Sequence, residues 1–407
     1  MYSVAGLFIA FFMVVFLLYK KFNMGLSLIF GSLLVGLTSA PNLGESLSLI
    51  LPTLLEGLTA PMTLELLMII GLVTIMAYIM DKNGLLEGLL TSLSRVLPYL
   101  SLNMIAIPSI IGALFIPGGA MISAPVIKPI GEQMGMNETR MTSVNIFFRH
   151  LWYFIFPYQP TLLLASSMTG LGLFTIAFYQ LPVVVLMLVT GYLFFFKGAG
   201  KITREEDYNR LQELKNLFIC LLPLLVAILI PILFDVSFII ALFLGLLITI
   251  LLRSGEFKWL MLWRGLDLQL LFALLGIMIF KSFIDQTPAV DEIAGALLSW
   301  GFSPLLLALI LSFLIGLLTG NHISALAICY PLLLPFFNEG DNMMMVNLLL
   351  FSFSFFGYLI SPFHLCIILT VEYYRTSLLK VYRDLALPIG ITLLGVLLFS
   401  LYYGLML

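Results

Sequence analysis

Two short glycine-containing stretches hold most of the polar groups that could bind a small ligand in this sequence. We call residues 116–125 the first glycine turn and residues 319–324 the second glycine turn. Glycine adds backbone freedom, and the prolines of the first turn remove N–H donors, so neither stretch is expected to continue a helix. The freed backbone groups can hold an ion or an anionic group. The candidate residues are Gly118, Gly119 and Ser123 in the first turn and Gly320, Asn321, His322 and Ser324 in the second.

Two proline-containing interruptions follow the glycine turns. The first break, at Pro157 and Gln159, divides the apolar segment 140–178, and the second, at Ser361 and Pro362, divides the segment 343–380. Helix N-terminal ends attract anions, whereas C-terminal ends and unwound carbonyls suit cations. We therefore expect each break to face a glycine turn, and the turns and breaks together to bind an anion and a coupling cation such as Na⁺.

Arg149 and Glu372 are the charged candidates near the breaks. Arg149 precedes Pro157 by eight residues, which predicts a distance of ~12 Å along a continuous helix. A charge at membrane depth is costly unless it is paired or hydrated. Arg149 is therefore expected either to pair with Glu372 or to draw an anion into an inward-facing vestibule.

The three histidines, His150, His322 and His364, all lie in or beside these segments. An imidazole can exchange a proton near neutral pH, which keeps proton coupling open. The alternative is a buried neutral imidazole that is hydrogen-bonded to a carbonyl. The sequence leaves both interpretations open.

The composition indicates an integral membrane protein, because 61% of the 407 residues are hydrophobic and 10% are charged. Acidic residues outnumber basic ones by 21 to 19, which argues against a nucleic-acid partner. The cysteines Cys220, Cys329 and Cys366 show no metal or disulfide spacing and are expected to be buried packing residues. No cofactor and no metal site are expected, apart from Na⁺ at the glycine turns. The N-terminus lacks the marks of a cleaved signal, so 1–19 is expected to be a retained span.

An all-α polytopic fold follows from the apolar segments, with about ten spans that each cross ~30 Å of hydrocarbon. Two shorter paired segments, 101–136 and 303–337, enclose the glycine turns and are predicted to be re-entrant hairpins. Both termini are predicted to lie on the outer side of the cytoplasmic membrane. In this orientation all of the 19 Lys and Arg except Arg149 and Lys281 lie on the cytoplasmic side, as expected for a membrane protein. The uninterrupted spans are predicted at 3–19, 24–40, 64–81, 180–196, 217–234, 236–252, 266–284 and 385–404.

The two halves of the chain repeat each other. Gly118 and Asn145 are 27 positions apart, and so are Gly320 and Asn347. The predicted hairpins open to opposite sides, which makes the repeats inverted, and inverted repeats with paired broken helices are typical of secondary transporters. The predicted divisions are N-terminal scaffold spans 1–63, repeat 1 at 64–196, a cytoplasmic loop 197–216, scaffold spans 217–265 and repeat 2 at 266–407.

Three segments carry a family resemblance: Pro117–Pro125, Phe148–His150 and Gly357–Pro362. The glycine turns, the paired broken helices and the inverted halves resemble the ion transporter superfamily, which includes divalent-anion:sodium symporters, gluconate permeases and citrate carriers. The three segments more specifically resemble a domain-of-unknown-function branch of that superfamily. The resemblance implies a homodimer in which a transport domain moves like an elevator against a scaffold. The sodium-coupled dicarboxylate members carry Ser-Asn-Thr at both tips, whereas the first turn here lacks the Asn and Thr.

The sequence therefore predicts a secondary active transporter for a small organic anion of the carboxylate type, coupled to Na⁺ or H⁺. The alternative is a proton-coupled carrier or exporter of a neutral or zwitterionic solute. An intramembrane enzyme is disfavoured, because the chain contains neither Gly-x-Ser-x-Gly nor His-Glu-x-x-His. The expected partners are a small-molecule substrate and the lipid bilayer.

Overall fold

A computed structural model describes residues 2–39, 42–113, 119–197, 209–252, 259–287, 292, 303–337 and 342–406. These residues form helices and short connections, with no strand among them. Helices satisfy every backbone group within one segment, and this is what an apolar chain requires in lipid. The all-helical part of the prediction is therefore confirmed for the described residues. The inverted repeats, re-entrant hairpins and domain divisions stay predictions.

The N-terminal part contains five helices, and the third was not predicted from the sequence. Glu45, Pro52 and Glu56 make this third helix less apolar than its neighbours. It docks through Gln286, which accepts a hydrogen bond from the Thr53 hydroxyl at 2.7 Å and donates one to Glu56 at 2.7 Å. The helices are α1 (Tyr2–Tyr19), α2 (Met24–Leu37), α3 (Leu43–Thr59), α4 (Pro61–Lys82) and the amphipathic α5 (Leu85–Val96).

The next part contains the first glycine turn and the first break. Residues 114–118, and with them Gly118, lie outside the described residues. The three helices around the turn contact one another. The elements are α6 (Leu100–Ala113), α7 (Ala120–Gln133), α8 (Glu138–Arg149), a 3-10 turn (Leu151–Phe154), α9 (Pro160–Thr169) and α10 (Leu173–Phe195).

The middle part contains α11 (Arg210–Phe234), α12 (Phe238–Leu251), α13 (Leu260–Gly265) and α14 (Leu268–Asp285). Here α11 begins earlier than the predicted span 217–234, because its charged first turn docks against α5. The buried carboxylate of Glu213 accepts hydrogen bonds from Ser92 and Arg95, each at 2.8 Å. Most of the loop 197–216 lies outside the described residues.

The last part contains the second glycine turn and the second break. The turn lies where it was predicted, because one helix ends at Thr319 and the next begins at His322. The helix on either side of the second break is interrupted at residues 360–364. The helices are α15 (Pro304–Thr319), α16 (His322–Leu333), α17 (Met343–Leu359), α18 (Leu365–Tyr373) and α19 (Leu378–Met406).

The described helices have the surface of a multi-pass membrane protein. Five are long and apolar enough to cross a bilayer: α4, α10, α11, α14 and α19. Seven shorter apolar helices accompany them, and the number that crosses the bilayer stays a prediction. Large apolar side chains cover their outer faces, with Phe178 72% and Leu398 58% exposed. A surface of this kind matches lipid better than water.

We call the helices that flank the glycine turns and the breaks, α6 to α9 and α15 to α18, the turn-and-break helices, and they contain the most completely buried segments. Every residue of the segment 141–150 is buried, and so is every residue of 322–331. By contrast, outer helices such as α11 and α12 each bury only a narrow side. The fold thus buries the end of α8, which precedes the first break, and the start of α16, which follows the second glycine turn.

Candidate functional site

A cavity of about 540 Å³ joins the second glycine turn to the end of α8, and we call it the central cavity. One wall comes from the α1–α2 connection and the start of α14, and the other from the turn-and-break helices. The polar and reactive side chains in its lining are Lys21, Arg149, Tyr153, Asp267, Gln269, Thr319, Asn321, Ser324 and Cys366. Asp267 is already used locally, because its side chain accepts a hydrogen bond from the Leu270 N–H at 2.9 Å and begins α14.

Arg149 is the last residue of α8 and is only 5% exposed, yet it lines the central cavity. Its guanidinium packs directly on the first glycine turn. A Cβ atom built at Gly119 would lie 2.4 Å from Nη2 and 2.6 Å from Nη1, so any other residue there would displace the guanidinium. Gly119 is thus required for the position of this charge.

The position of Arg149 corrects the sequence prediction. The first helical half ends at Arg149, so the first break spans residues 150–159, including the predicted interruption at Pro157 and Gln159, and the continuous helix assumed for the ~12 Å is not present. Tertiary contacts end the helix early. The Ser109 hydroxyl donates to the Phe148 carbonyl at 2.9 Å, and a Cβ at Gly112 would lie 1.7 Å from the Arg149 carbonyl oxygen.

Glu372 does not join this site. It is exposed near the end of α18, and among the described residues no ion pair links it to Arg149. The predicted pairing of the two charges is therefore not observed.

The first glycine turn leads into the N-terminus of α7, where Ser123 donates to the Gly119 carbonyl at 3.1 Å. Asn145 of α8 donates to the Ala120 carbonyl and to the Thr370 hydroxyl, each at 3.3 Å. Its Oδ1 is buried and accepts no hydrogen bond from the described residues. Sequence reasoning used Asn145 only to align the repeats, although its match with Asn347 was the signal that could have marked it.

The second glycine turn is built around Gly320, whose φ of +62° favours glycine. A Cβ at Gly320 would lie 2.7 Å from the Phe363 backbone carbon, so the turn packs directly on the second break. Asn321 accepts a hydrogen bond from the Ser324 N–H at 3.1 Å and caps α16. The Ser324 hydroxyl lies 2.9 Å from the Met24 sulfur of α2. The N-terminus of α16 therefore borders the central cavity.

Each break contains a polar residue whose side chain donates a hydrogen bond to a backbone carbonyl of a neighbouring helix. Gln159, beside the buried Pro157, donates to the Gly112 carbonyl at 2.8 Å. Ser361, beside the exposed Pro362, donates to the Leu317 carbonyl at 2.6 Å and accepts from the Phe363 N–H at 3.1 Å. Both residues stabilise the broken backbone, and neither lines the central cavity.

The three histidines meet in one aromatic cluster beside the cavity, with Tyr153 and Tyr358. The His150 and His364 ring centroids are 4.9 Å apart, and the His322 ring stacks on Tyr358 at 5.9 Å. His322 is buried and does not line the cavity, although its neighbours in the second turn do. Its Nε2 lies 3.3 Å from the Phe351 carbonyl and 3.1 Å from the Ser354 hydroxyl.

The cysteines fit the packing expectation in two cases of three. Cys220 and Cys329 are buried, whereas Cys366 is half-buried and lines the central cavity. The exception arises because Cys366 follows the second break, where α18 begins at the cavity wall.

Comparisons with known proteins agree with this architecture. One solved structure covers 89% of this chain and 90% of its own, with a TM-score of 0.63 and 15% sequence identity. It is a crystal structure of the YdaH transporter of Alcanivorax borkumensis, described as revealing an unusual topology. At this identity the likeness concerns the fold alone. No curated protein matches the sequence.

The sequence also matches a family model along almost its whole length. The match covers residues 2–404, and the family is described as "Protein of unknown function (DUF401)". The chain belongs to the DUF401 family.

Proposed function

We propose that this protein is a secondary active transporter that moves a small organic anion of the carboxylate type across the cytoplasmic membrane, coupled to Na⁺ or H⁺. The observation that carries the proposal is the position of Arg149. Its guanidinium is almost fully buried, ends a broken helix and lines a cavity large enough for a small solute.

An arginine in this position suits a carboxylate. A charge held at membrane depth is rare and marks a functional site by default. The planar guanidinium can donate two parallel hydrogen bonds to one carboxylate, and a lysine cannot reproduce them. The N-terminus of α16 borders the same cavity and adds partial positive charge.

The repeat relationship supports alternating access. Residues 202 positions apart make equivalent contacts in the two halves. Gln159 and Ser361 each donate a hydrogen bond to a backbone carbonyl of a neighbouring helix. The hydroxyls of Thr190 and Thr392, also 202 positions apart, lie 3.4 Å from each other. Such contacts are expected near an axis that relates two repeats.

The central cavity lies between α1, α2 and α14 on one side and the turn-and-break helices on the other. This boundary is where a transport domain would slide along a scaffold in an elevator mechanism. The proposal therefore includes re-entrant hairpins, a moving core and, by family resemblance, a homodimer with both termini outside. The likeness to the fold of a transporter also favours a carrier over an enzyme.

A second candidate function is a proton-coupled carrier or exporter of a neutral or zwitterionic solute. The observation that favours it is the mixed charge of the cavity lining, where Asp267 accompanies Lys21 and Arg149. A zwitterion could be held by both signs of charge.

Uptake into proteoliposomes tests the proposal. The purified full chain is reconstituted, a Na⁺ or pH gradient is imposed, and uptake of a panel of carboxylates and zwitterions is measured. We expect gradient-driven uptake of a carboxylate that is abolished by Arg149→Lys, because the paired hydrogen bonds are lost.

The matched control is Arg264→Lys, since Arg264 is exposed on α13 away from the cavity. Its uptake should equal that of the wild type. Normal uptake by the Arg149→Lys protein would contradict the anion-binding role of Arg149, and uptake of zwitterions alone would select the second candidate.

A further inference from the structure

Beside the central cavity, two histidines and a cysteine converge from the two breaks. A ring nitrogen of His150, a ring nitrogen of His364 and the Cys366 sulfur all lie within 4.8 Å of one another. His150 directly follows α8, His364 directly precedes α18, and Cys366 is the second residue of α18. The cluster therefore joins the first half of the chain to the second.

Both imidazoles are held in the orientation that metal-binding histidines use. The Nδ1 atom of His150 lies 2.7 Å from the Ile146 carbonyl, and that of His364 lies 3.2 Å from the Leu359 carbonyl. A carbonyl only accepts, so Nδ1 carries the proton and Nε2 keeps its lone pair. Metal-ligating histidines commonly donate their other N–H to a backbone carbonyl in this way.

The unprotonated Nε2 atoms of His150 and His364 differ in what they contact. The His150 Nε2 accepts a hydrogen bond from the Tyr358 hydroxyl at 3.0 Å. The His364 Nε2 is buried and has no hydrogen-bond partner among the described residues, and His364 as a whole is 1% exposed. A buried acceptor without a partner is costly, so a ligand at this point would remove a penalty.

We propose that His150 Nε2, His364 Nε2 and Cys366 Sγ bind a soft or borderline transition-metal ion, Zn²⁺ or Cu⁺. Imidazole and thiolate are ligands that both ions accept, whereas Mg²⁺ and Ca²⁺ require oxygen ligands. Metal–ligand bonds of about 2.0–2.3 Å place ligand atoms about 3–4 Å apart, so the cluster closes by roughly 1 Å. The lone pair of His150 Nε2 cannot serve both partners, so metal binding at this atom requires the Tyr358 hydroxyl to give up its hydrogen bond.

The position of Cys366 and the charges around it are compatible with a metal ion that enters from the central cavity. Cys366 lines that cavity, so an ion can reach the sulfur first. On binding, the thiol loses its proton to the water of the cavity, and the thiolate forms the bond to the metal. The thiolate charge offsets the nearby Arg149 charge, which leaves a smaller electrostatic cost for Cu⁺ than for Zn²⁺.

A bound ion would clamp the two breaks together. This site is separate from the anion contact proposed for Arg149, because none of its ligands is Arg149 and the ion needs no transported solute. The two proposals therefore fail independently.

Co²⁺ is the probe that tests the site, because a thiolate–Co²⁺ bond gives a charge-transfer absorption in the near ultraviolet. The full chain is purified in detergent, treated with chelator, reduced and titrated with Co²⁺. We expect one equivalent to bind with this absorption, and Zn²⁺ or Cu⁺ to displace it. Absence of the absorption in the wild type overturns the proposal without recourse to any variant.

Three variants assign the ligands. Cys366→Ser should abolish the thiolate absorption, and His364→Gln should raise the Co²⁺ dissociation constant at least tenfold. The matched control is Cys220→Ser, since Cys220 lies on α11 outside the cluster, and it should leave the absorption unchanged. An absorption that survives in Cys366→Ser, or one that is lost in Cys220→Ser, overturns the assignment. Arg149→Lys should bind Co²⁺ normally, which separates this site from the transport proposal.

Discussion

The first and second breaks use corresponding residues for the backbone but place different groups against their glycine turns. In both halves a polar residue, Gln159 or Ser361, donates a hydrogen bond to a backbone carbonyl on the helix before the turn. The group that packs on the turn is the Arg149 guanidinium in the first half and the Phe363 backbone in the second. The support of the broken backbone is thus duplicated, whereas among the described residues a buried charge lies against a glycine turn in the first half alone.

This difference separates two kinds of residue at a broken helix. Groups that both halves share answer a requirement of the fold, since irregular backbone within a membrane protein must satisfy its own hydrogen bonds. A side chain that is present in one half and absent from the other is not needed to satisfy the broken backbone. On this reasoning Arg149 is the residue that we propose to contact the solute most directly.

The largest loss of stability is expected from substitutions at the helix crossings beside the two glycine turns. A Cβ at Gly112 would lie 1.7 Å from the Arg149 carbonyl oxygen, and one at Gly316 would lie 2.1 Å from the Ser354 carbonyl oxygen. We expect Gly112→Ala and Gly316→Ala to destabilise the protein alike, each by about 1–3 kcal/mol, because backbone must move. Thermal unfolding in detergent measures both, with Gly390→Ala as the control, since a Cβ there meets nothing within 4 Å. A large difference between the first two variants would show that the crossings are not equivalent.

The asymmetry is tested more sharply at Gly119. Gly119→Ala places a Cβ on the guanidinium, a flexible group that can move without disturbing the helices. We expect uptake to fall at least tenfold while the melting temperature stays near the wild-type value. Gly390→Ala again serves as the control and should keep both properties. Unchanged uptake by the Gly119→Ala protein would argue that the position of Arg149 is unimportant.

The shared residues should produce smaller and matched effects. Gln159→Leu leaves the Gly112 carbonyl without its side-chain donor, and Ser361→Ala does the same to the Leu317 carbonyl. A buried carbonyl that loses its donor costs about 1–3 kcal/mol, so both variants should melt at lower temperature by similar amounts. Ser48→Ala, which removes an exposed serine hydroxyl on α3, is the control and should be neutral. If only one break were sensitive, the duplicated support would be refuted.

Sequence reasoning located the second turn and break because local chemistry determines them. Gly320 adopts a positive φ that favours glycine, and Pro362 cannot continue a helix. The predicted first break at Pro157 and Gln159 lies within the observed one, but the earlier end of α8 was missed. That end is set by contacts of the Phe148 and Arg149 carbonyls with Ser109 and Gly112, which lie on another helix. No pattern within 140–178 records those contacts.

The two kinds of site could be predicted to different extents. Arg149, Asn321 and Ser324 were singled out from the sequence, and all three line the central cavity. The cluster of His150, His364 and Cys366 was not anticipated, because its members come from opposite halves and only the fold brings them together. Helix α3 was also missed, because its glutamates and proline interrupt the apolar pattern that would have predicted a helix. It packs on α2 and α14.

The most direct test of the central claim is the melting temperature of the purified protein in detergent with a panel of carboxylates, with and without Na⁺ and from pH 5.5 to 8. A ligand that binds only the folded state raises stability by mass action, by about 2.7 kcal/mol at one hundred times its dissociation constant. We predict that at least one carboxylate raises the melting temperature of the wild type and of Arg264→Lys but not of Arg149→Lys. An equal rise in the Arg149→Lys protein, or no rise with any carboxylate, would contradict the account.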